Sequence, residues 1–465
     1  MKSDSLKLIV ILFGQLLTIM DIFIINVSIP SIQHDIEASN GEMQLIISSY
    51  LIGFASFLIT GGRLGDLYGR KKIFIIGLLM FMLSSIGCGL AAGSVLLIIS
   101  RFVQGCSAAL MSPQVLSMIQ IVFSKHEQRT KAMGWYGITI GAGTILGQFL
   151  GGYFSSLTFM KEPWRLIFYI NIPVCLLAVF SGIRILNESK TMSTGKFDRI
   201  GVVLLAAGLF SFTYALTMGE HKEFGMINII LIIISVSILI YFIRNQKSRM
   251  NKGKPYLMDL KLFSFKNFNL GILAVSFFFI MLDSYFYILA LFFQEGLKIN
   301  PLASGEIIVF QGMGFILASV VSPQLILLYG KKFLISGLGV IIFILILQGC
   351  LFTAKAPFLL LYLILFIHGL GVGSVIPSLA NIALSEIPGK LAGNASGVYI
   401  TFQQIAAIAG IILIGSIFYY FLGTEPLFDD YRKAFEITLF TNIICVIIVI
   451  ISIVKTPADL LLKRK

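Results

Sequence analysis

Charged residues are what this sequence has least of. Only 12% of its 465 residues are charged, about half the usual share in a soluble protein, and 57% are hydrophobic. Apolar runs of roughly twenty residues recur along the whole chain, and each is long enough to cross a hydrocarbon core as a helix. Because these runs are continuous rather than alternating, they favour transmembrane helices over membrane-spanning strands.

Cysteine and histidine are also scarce. The five cysteines lie in apolar segments at wide spacing and predict neither a disulfide framework nor a metal site: Cys88, Cys106, Cys175, Cys350 and Cys445. The sequence has no Walker loop and no nucleophile elbow, so ATP-driven pumping and hydrolysis have no support. A membrane-embedded transferase would need an Asp, Glu or His cluster at one membrane face, and no such cluster appears in the sequence. A sensor would need a soluble domain, and no loop is long enough to form one. We therefore predict a protein that is not an enzyme and has no metal or cofactor.

The net charge of +13 would suggest a nucleic-acid partner on a soluble domain. Here most Lys and Arg residues lie in short segments between apolar runs, where they fix membrane orientation. We predict a lipid bilayer as partner, no nucleic acid, and a multi-pass protein of the bacterial inner membrane. The first apolar run contains Asp21 and ends in Asn26 and Pro30 rather than at a small-residue cleavage site, so no signal peptide is expected.

The apolar runs predict fourteen transmembrane helices with both termini in the cytoplasm. The predicted spans are 6–29, 43–62, 72–92, 95–122, 131–155, 165–186, 199–218, 225–244, 267–294, 302–328, 332–353, 357–385, 394–422 and 433–454. Helices seven and eight are plain, with few polar residues. We therefore predict an all-α polytopic membrane protein in which two six-helix bundles, 1–190 and 267–465, are separated by two inserted helices and a basic cytoplasmic loop in 191–266.

The two predicted bundles share a weak internal repeat. Gly62–Lys72 reads GRLGDLYGRKK, and the matching segment from Ser322 ends in YGKK at Lys332. Parallel repeats that flank a site at the bilayer midplane are typical of secondary transporters.

Gly62–Lys72 resembles the signature of the major facilitator superfamily. The matching residues are Gly62, Gly65, Asp66, Gly69 and Arg70, together with Arg101, Gln104 and Gly105 of the fourth helix. The fifth helix is similar to the antiporter motif of the superfamily through Gly134, Gly143, Gly147, Gly151 and Gly152, with Gln148 where that motif has Pro. The sequence also resembles the fourteen-helix drug:proton antiporter branch of the superfamily, with Phe23 where Thr is common. The residues that carry this resemblance are Asp21, Asn26, Pro30, Trp164, Arg165, Phe168, Asn171 and Pro173.

This resemblance covers essentially the whole chain and implies the major facilitator fold. It implies a monomeric, proton-coupled multidrug efflux protein of the kind that confers antibiotic resistance. Such a protein exports small lipophilic, cationic molecules by alternating access, with protons as the coupling ion. The alternatives are an exporter of a lipid or metabolite with the same fold, an importer, or a membrane-embedded transferase.

Only three charges lie clearly inside predicted helices, away from the helix ends, and a charge there is a functional hypothesis by default. They are Asp21, Arg101 and Asp283, and we predict that they couple protons to transport. Burial raises the pKa of a carboxyl group and a neighbouring Arg lowers it, so such a pair can titrate as the partners move. The alternative for Asp21 and Arg101 is an ion pair that only holds helices together.

Asp283 is ringed on its helix face by Phe279, Phe286 and Tyr287. A carboxylate among aromatic rings suits a lipophilic cation, and a second proton site is a compatible alternative. Further aromatic residues are placed as possible substrate contacts, with core or lipid-facing packing as the alternative: Tyr50, Phe54, Phe310, Tyr399 and Phe402.

Three other features have both a functional and a packing interpretation. The glycines of helix five align at four-residue spacing and predict a leak-proof helix contact or ordinary close packing. Asp66 and Arg70 lie across a short cytoplasmic turn, and we predict that Asp66 docks at the start of helix thirteen, Gly393–Ser396, as a cytoplasmic gate. The alternative for this segment is a solvated orientation signal. His368 lines a cavity or is a packing residue.

Overall fold

The computed structural model describes residues 2–38, 40–155, 157, 161–189, 198–219, 225–299, 301–353, 356–423 and 427–457. The secondary structure of this part of the chain is helical, without a strand.

The long helices are labelled α1 to α14 in chain order. They are α1 (Lys2–Asp35), α2 (Asn40–Tyr68), α3 (Arg70–Gly89), α4 (Ser94–Val122), α5 (His126–Ser155), α6 (Asn171–Ile185), α7 (Arg199–Gly219), α8 (Met226–Asn251), α9 (Lys266–Leu291), α10 (Pro301–Tyr329), α11 (Lys331–Leu351), α12 (Phe358–Leu384), α13 (Ala392–Leu422) and α14 (Phe428–Val454). Short helical turns at Pro163–Arg165 and Leu166–Tyr169 lead into α6, and a π-helical turn at Phe292–Gly296 continues α9.

Twelve helices of the described chain are long and apolar enough to cross a membrane. The two predicted spans outside that set are α5 and α7. Helix α5 is rich in glycine and begins with the polar run HEQRTK, and the described apolar part of α7 is short, at Arg199–Ala215. The described part of the chain is therefore all-helical with twelve candidate spans, and a membrane crossing by α5 and α7 stays a prediction.

The predicted loop Gly62–Lys72 is mostly helix. Helix α2 continues to Tyr68, so that Asp66 lies in its last turn, and only Gly69 separates α2 from α3. Gly69 has a φ of 106°, a left-handed value that glycine tolerates. The prediction of a loop was wrong because polar residues here have buried partners and do not need solvent. The predicted span 225–244 also continues further, because α8 ends at Asn251, and the basic loop predicted after it is correspondingly shorter.

The chain packs as two compact units. Unit 1 comprises 1–124, 142–262 and 387–401, and unit 2 comprises 125–141, 263–386 and 402–465. These two units are defined by contacts between residues along the chain. The predicted division into bundles at residues 190 and 266 therefore stays a prediction.

Unit 1 is built on close contact between α2 and α4. A Cβ on Gly61 would collide with the carbonyl oxygen of Ala109, and one on Gly105 would collide with that of Tyr50. Such backbone contact is how helices associate in a bilayer, where apolar side chains gain little by leaving lipid.

Unit 2 repeats the arrangement between α10 and α12. A Cβ on Gly314 would meet the carbonyl oxygen of Phe366, and one on Gly369 would meet that of Gln311. Around this pair an apolar core includes Phe278, Leu338 and Leu365.

Candidate functional site

Asp21 is the centre of a buried polar cluster in unit 1. Its carboxylate, on α1, is fully buried. Arg101 of α4 donates to Oδ2 at 2.5 Å, and Oδ1 accepts from Gln104 Nε2 at 2.8 Å and from Asn171 Nδ2 at 2.9 Å. Three donors from two other helices therefore surround this carboxylate.

Gln104 connects the members of this cluster. Its Oε1 accepts from Arg101 at 2.8 Å, while its Nε2 also reaches Ser85 Oγ of α3 at 2.8 Å. Asn171 Nδ2 lies 3.3 Å from the same hydroxyl. The cluster thus joins α1, α3, α4 and α6, and a change in the charge of Asp21 is felt by all four helices.

Tyr50 and Phe54 lie beside this cluster. The Arg101 guanidinium lies 4.5 Å from the centre of the Tyr50 ring, which itself stacks on Phe54 at 6.1 Å. The Tyr50 hydroxyl donates to the carbonyl oxygen of Thr18 at 3.4 Å. Both rings are buried, so the structure places these predicted substrate contacts at the ion pair.

Asp283 lies on α9 in unit 2, is half-buried, and differs from Asp21 in having one buried carboxylate oxygen without a partner among the described residues. Its Oδ2 atom is buried and accepts no hydrogen bond from any described residue. No ion pair to Asp283 occurs in that part of the chain either. Leaving a buried carboxylate oxygen without a hydrogen-bond donor costs free energy.

The predicted aromatic neighbours of Asp283 are half-buried and pack against the unit 2 core. Phe279 meets Phe278 edge-on, Phe286 meets Tyr285 edge-on, and the Tyr287 hydroxyl lies 3.2 Å from that of Tyr419.

The other three aromatic residues predicted as substrate contacts differ in burial and in their neighbours. Phe310 stacks on Tyr362 with ring centres 4.4 Å apart, Tyr399 is buried, and Phe402 is 38% exposed.

Asp66 lies at the start of α13, the helix end named from the sequence. Its carboxylate accepts from the backbone N–H of Gly393 at 3.1 Å and of Asn394 at 2.8 Å. Arg70 donates to Asp66 Oδ1 at 2.5 Å and to the carbonyl oxygen of Gly389 at 2.8 Å. Both side chains are buried, so this is an enclosed anion site at a helix N-terminus and not a solvated charge run.

The glycines around Asp66 permit close approach. A Cβ on Gly62 would collide with the carbonyl oxygen of Gly393, and one on Gly65 would collide with the Gln114 amide. At Gly69 the neighbouring group is Glu188, whose carboxylate accepts from the N–H groups of Lys71 and Lys72 at the start of α3.

A family model described as Major Facilitator Superfamily matches residues 11–411 and 272–463. The chain belongs to this superfamily. The resemblance drawn from the sequence is thereby confirmed, and the protein is a multi-pass membrane transporter for a small-molecule substrate rather than an enzyme.

Individual relatives agree with this assignment. The chain is 30% identical to a probable actinorhodin transporter of Streptomyces coelicolor over 90% of this chain and 72% of that protein. It is 26% identical to the multidrug resistance protein Stp of Mycobacterium tuberculosis over 90% and 76%. The human organic anion transporter MFSD10 has the same fold, with a TM-score of 0.69 at 13% identity, over 96% of this chain and 99% of that one.

In this major facilitator protein the glycines of α5 divide between the two units. In unit 1, a Cβ on Gly143 would lie 3.0 Å from Ile19 and one on Gly147 would lie 2.7 Å from the carbonyl oxygen of Met20. A Cβ on Gly151 would collide with the carbonyl oxygen of Ile24. These glycines let α5 lie directly against α1, the helix that carries Asp21.

Three other predicted residues of α5 have different surroundings. Gly134 belongs to unit 2, where a Cβ would collide with Pro323. Gln148 and Gly152 are half-buried.

His368 is a packed residue of unit 2. Its ring is buried against that of Tyr285, with centres 4.4 Å apart, and its Nδ1 lies 2.8 Å from Gln311 Nε2. Gln348 donates to the Tyr285 hydroxyl at 2.7 Å. The ring is packed, but its buried Nε2 has no hydrogen-bond partner among the described residues, so the role of His368 stays a prediction.

Sequence reasoning missed Ser85 and gave Gln104 and Asn171 no role. A lone serine in an apolar helix carries no signal of its own. The other two occur in the recognised motifs, but their convergence on one carboxylate depends on the packing of three helices.

Proposed function

We propose that this transporter exports small lipophilic cations in exchange for protons by alternating access. It works as a monomer of fourteen spans in the bacterial inner membrane, with both termini in the cytoplasm. Bundles 1–190 and 267–465 rock about the site, and 191–266 supplies the inserted pair. The names of the two bacterial relatives support efflux.

The observation that carries proton coupling is the Asp21 cluster. A proton on Oδ2 would remove the 2.5 Å ion pair to Arg101, while the two amide donors on Oδ1 can remain. Arg101 then keeps the Gln104 carbonyl oxygen and the faces of the Tyr50 and Phe168 rings. Protonation therefore removes one of the two hydrogen bonds from α4 to Asp21, and a change of this kind can shift a conformational equilibrium.

The energy available from one proton is sufficient for export. A charge that crosses about 100 mV gains roughly 2.3 kcal/mol, and each pH unit adds about 1.4 kcal/mol. Together these sustain a gradient of several hundredfold for a neutral substrate at a proton stoichiometry of one. One-for-one exchange with a monovalent cation moves no net charge, so the pH difference alone drives it, by about tenfold for each pH unit.

Asp283 is the proposed substrate carboxylate. Its buried Oδ2 lacks a hydrogen-bond donor among the described residues, so a bound proton and a bound cation compete for it. Competition at one carboxylate is the simplest form of antiport. The half-buried rings of Phe279, Phe286 and Tyr287 add apolar area and attraction for a cation.

Asp66 and Arg70, with Gly62, Gly65 and Gly69, form the proposed cytoplasmic gate. The carboxylate stabilises the positive end of α13, and the glycines allow the contact. Opening the gate must break two backbone hydrogen bonds to a buried charge.

The test is efflux from proteoliposomes with an imposed pH gradient, using ethidium as the cationic probe and a neutral dye of similar size. We expect Asp21→Asn to abolish gradient-dependent flux of both probes, and Asp283→Asn to abolish that of ethidium only. Asp429→Asn makes the same chemical change at an exposed acid and should leave both fluxes intact.

The absence of gradient-dependent flux of any lipophilic cation in the wild type would refute the drug-export proposal. Flux of a lipid or a neutral metabolite under the same gradient would then identify the alternative exporter. Equal loss of both probes in Asp283→Asn would make Asp283 a second proton site rather than the cation site.

A further inference from the structure

The hairpin of α7 and α8 has a buried polar end that the transport cycle above does not use. Asp198, at the start of α7, is buried and accepts from the N–H of Gly201 at 2.9 Å and from Gln246 Nε2 at 2.8 Å. Arg249 forms an ion pair with the same carboxylate at 3.1 Å. The start of α7 is thus tied to the end of α8.

The same two α8 residues also hold the segment that follows the hairpin. Gln246 Oε1 accepts from the N–H groups of Leu257 at 2.7 Å and Met258 at 3.2 Å, and Arg249 donates to the carbonyl oxygen of Pro255 at 3.2 Å. Leu257 and Met258 are buried. A buried backbone segment outside a helix needs such partners, and here the hairpin supplies them.

The same segment, Tyr256–Asp259, also forms hydrogen bonds with the first turn of α13. Asn394 is fully buried, its Nδ2 donates to the carbonyl oxygen of Leu257 at 2.8 Å, and its Oδ1 accepts from the N–H of Asp259 at 3.1 Å. The backbone N–H of Asn394 is one of the two donors to Asp66. One residue therefore joins the hairpin to the gate.

A second tie reaches α2 itself. The guanidinium of Arg63, three residues before Asp66, lies 5.1 Å from the centre of the Tyr256 ring, and the Tyr256 hydroxyl donates to Asp259 at 3.0 Å. Burial, the Asp259 carboxylate and the hydrogen bond to it raise the pKa of Tyr256 against the opposing effect of Arg63. The phenol therefore stays protonated and remains the donor at neutral pH.

We propose that Tyr256–Asp259 is a clamp, carried by the α7–α8 hairpin, that positions the start of α13 on Asp66. The inference rests on the proposed gate and assigns the hairpin a task in it. Asn394 and Gln246 are positioning residues: neither side chain touches the Asp66 carboxylate, yet both fix the helix end that does.

The clamp should change how often the gate opens. Removing the Asn394 side chain deletes two buried hydrogen bonds and leaves the carbonyl oxygen of Leu257 and the N–H of Asp259 without partners in the closed form. A loss of this kind shifts a conformational equilibrium by about tenfold or more. Gln246→Ala frees the same segment from the α8 side and should have a similar effect.

The experiment measures opening directly. Ala395 is fully buried in the first turn of α13, so the maleimide alkylation rate of Ala395→Cys in detergent-purified full-length protein reports exposure of that turn. Peptide-resolved mass spectrometry separates this thiol from the native cysteines. Asn394→Ala, Gln246→Ala and Asp66→Asn are compared in this background.

Ser396→Ala is the matched control. Ser396 lies on the same turn and its hydroxyl bonds Ser117 at 3.4 Å without touching the clamp. We expect about tenfold faster alkylation in Asn394→Ala, Gln246→Ala and Asp66→Asn, and less than about twofold in Ser396→Ala. The melting temperature is measured in parallel. General destabilisation would lower the melting temperature in proportion to the increase in alkylation rate, whereas an effect on the gate alone would not.

Each other outcome overturns a defined statement. If the alkylation rate rises in Asp66→Asn but not in the two clamp variants, the gate is supported and the clamp is refuted. No rise in any of the three refutes the gate and the clamp with it. A rise in the clamp variants alone refutes action through Asp66. If Asn394→Ala fails to fold, Gln246→Ala still decides between these results.

Discussion

Asp21→Asn should destabilise this transporter because it removes one partner of a buried ion pair and leaves the other. Two of the three donors to Asp21 share Oδ1, the atom that the amide carbonyl would replace. The third, Arg101, faces Oδ2, where the amide would present its NH2 group. The substitution therefore keeps the bonds to Gln104 and Asn171 and turns the ion pair into a contact between two donors.

The expected loss follows from those contacts. Breaking a buried ion pair from one side costs about 3–5 kcal/mol. Arg101 keeps the Gln104 carbonyl oxygen at 2.8 Å and the Tyr50 ring at 4.5 Å, so the lower end of that range applies. We expect a destabilisation of about 3 kcal/mol, which for a chain of this length corresponds to a fall in melting temperature of roughly 3 °C.

The assay is thermal unfolding of the purified protein, with a second-site variant to separate charge from packing. Asp21→Asn combined with Arg101→Gln removes both charges and should recover stability to within about 1 kcal/mol of wild type. Asp429→Asn, an exposed acid, should have no measurable effect. The ion pair does not contribute the expected stability if Asp21→Asn has the same melting temperature as the wild type. The same conclusion follows if the double variant is no more stable than Asp21→Asn.

Two glycine substitutions test the helix contacts. Gly62→Ala would drive a Cβ into the carbonyl oxygen of Gly393, so gradient-driven ethidium efflux should fall at least tenfold while the purified protein remains folded. Gly147→Ala would place a Cβ 2.7 Å from the carbonyl oxygen of Met20, so the free energy of unfolding should fall by about 1–3 kcal/mol, as is typical of overpacking, and the melting temperature should fall with it. Gly339→Ala is the control for both, since no atom lies within 4 Å of its Cβ and a helix gains from alanine; equal behaviour of all three variants would contradict the close contacts.

The helices themselves could be predicted from the sequence because an apolar run of membrane length has few other solutions. The predicted span 95–122 and the observed α4, Ser94–Val122, differ by one residue at one end. Boundaries were missed where helices continue past the apolar run. Helix α2 extends through Asp66 to Tyr68 because Arg70 and the start of α13 satisfy that carboxylate, and no local pattern announces such partners.

The candidate sites were predictable as residues but less so as contacts. A charge inside an apolar run identified Asp21 and Arg101, and the structure joins them. Tyr50 was grouped with the substrate contacts on its aromatic character alone, whereas it lies under the Arg101 guanidinium. Sequence spacing does not say which helix face meets which, so the clamp at Asn394, 137 residues from Leu257, was beyond it.

Gly69 and Gly330 are single-residue joints, with φ values of 106° and 57°, between α2 and α3 and between α10 and α11. Joints this short keep the rotational phase of the second helix fixed to that of the first. One inserted residue would turn α3 or α11 by about 100° about its axis and carry every core-facing side chain to a new face. Tags and epitopes should therefore be tolerated far less at these two corners than at any longer connection, and natural variation in chain length is expected elsewhere.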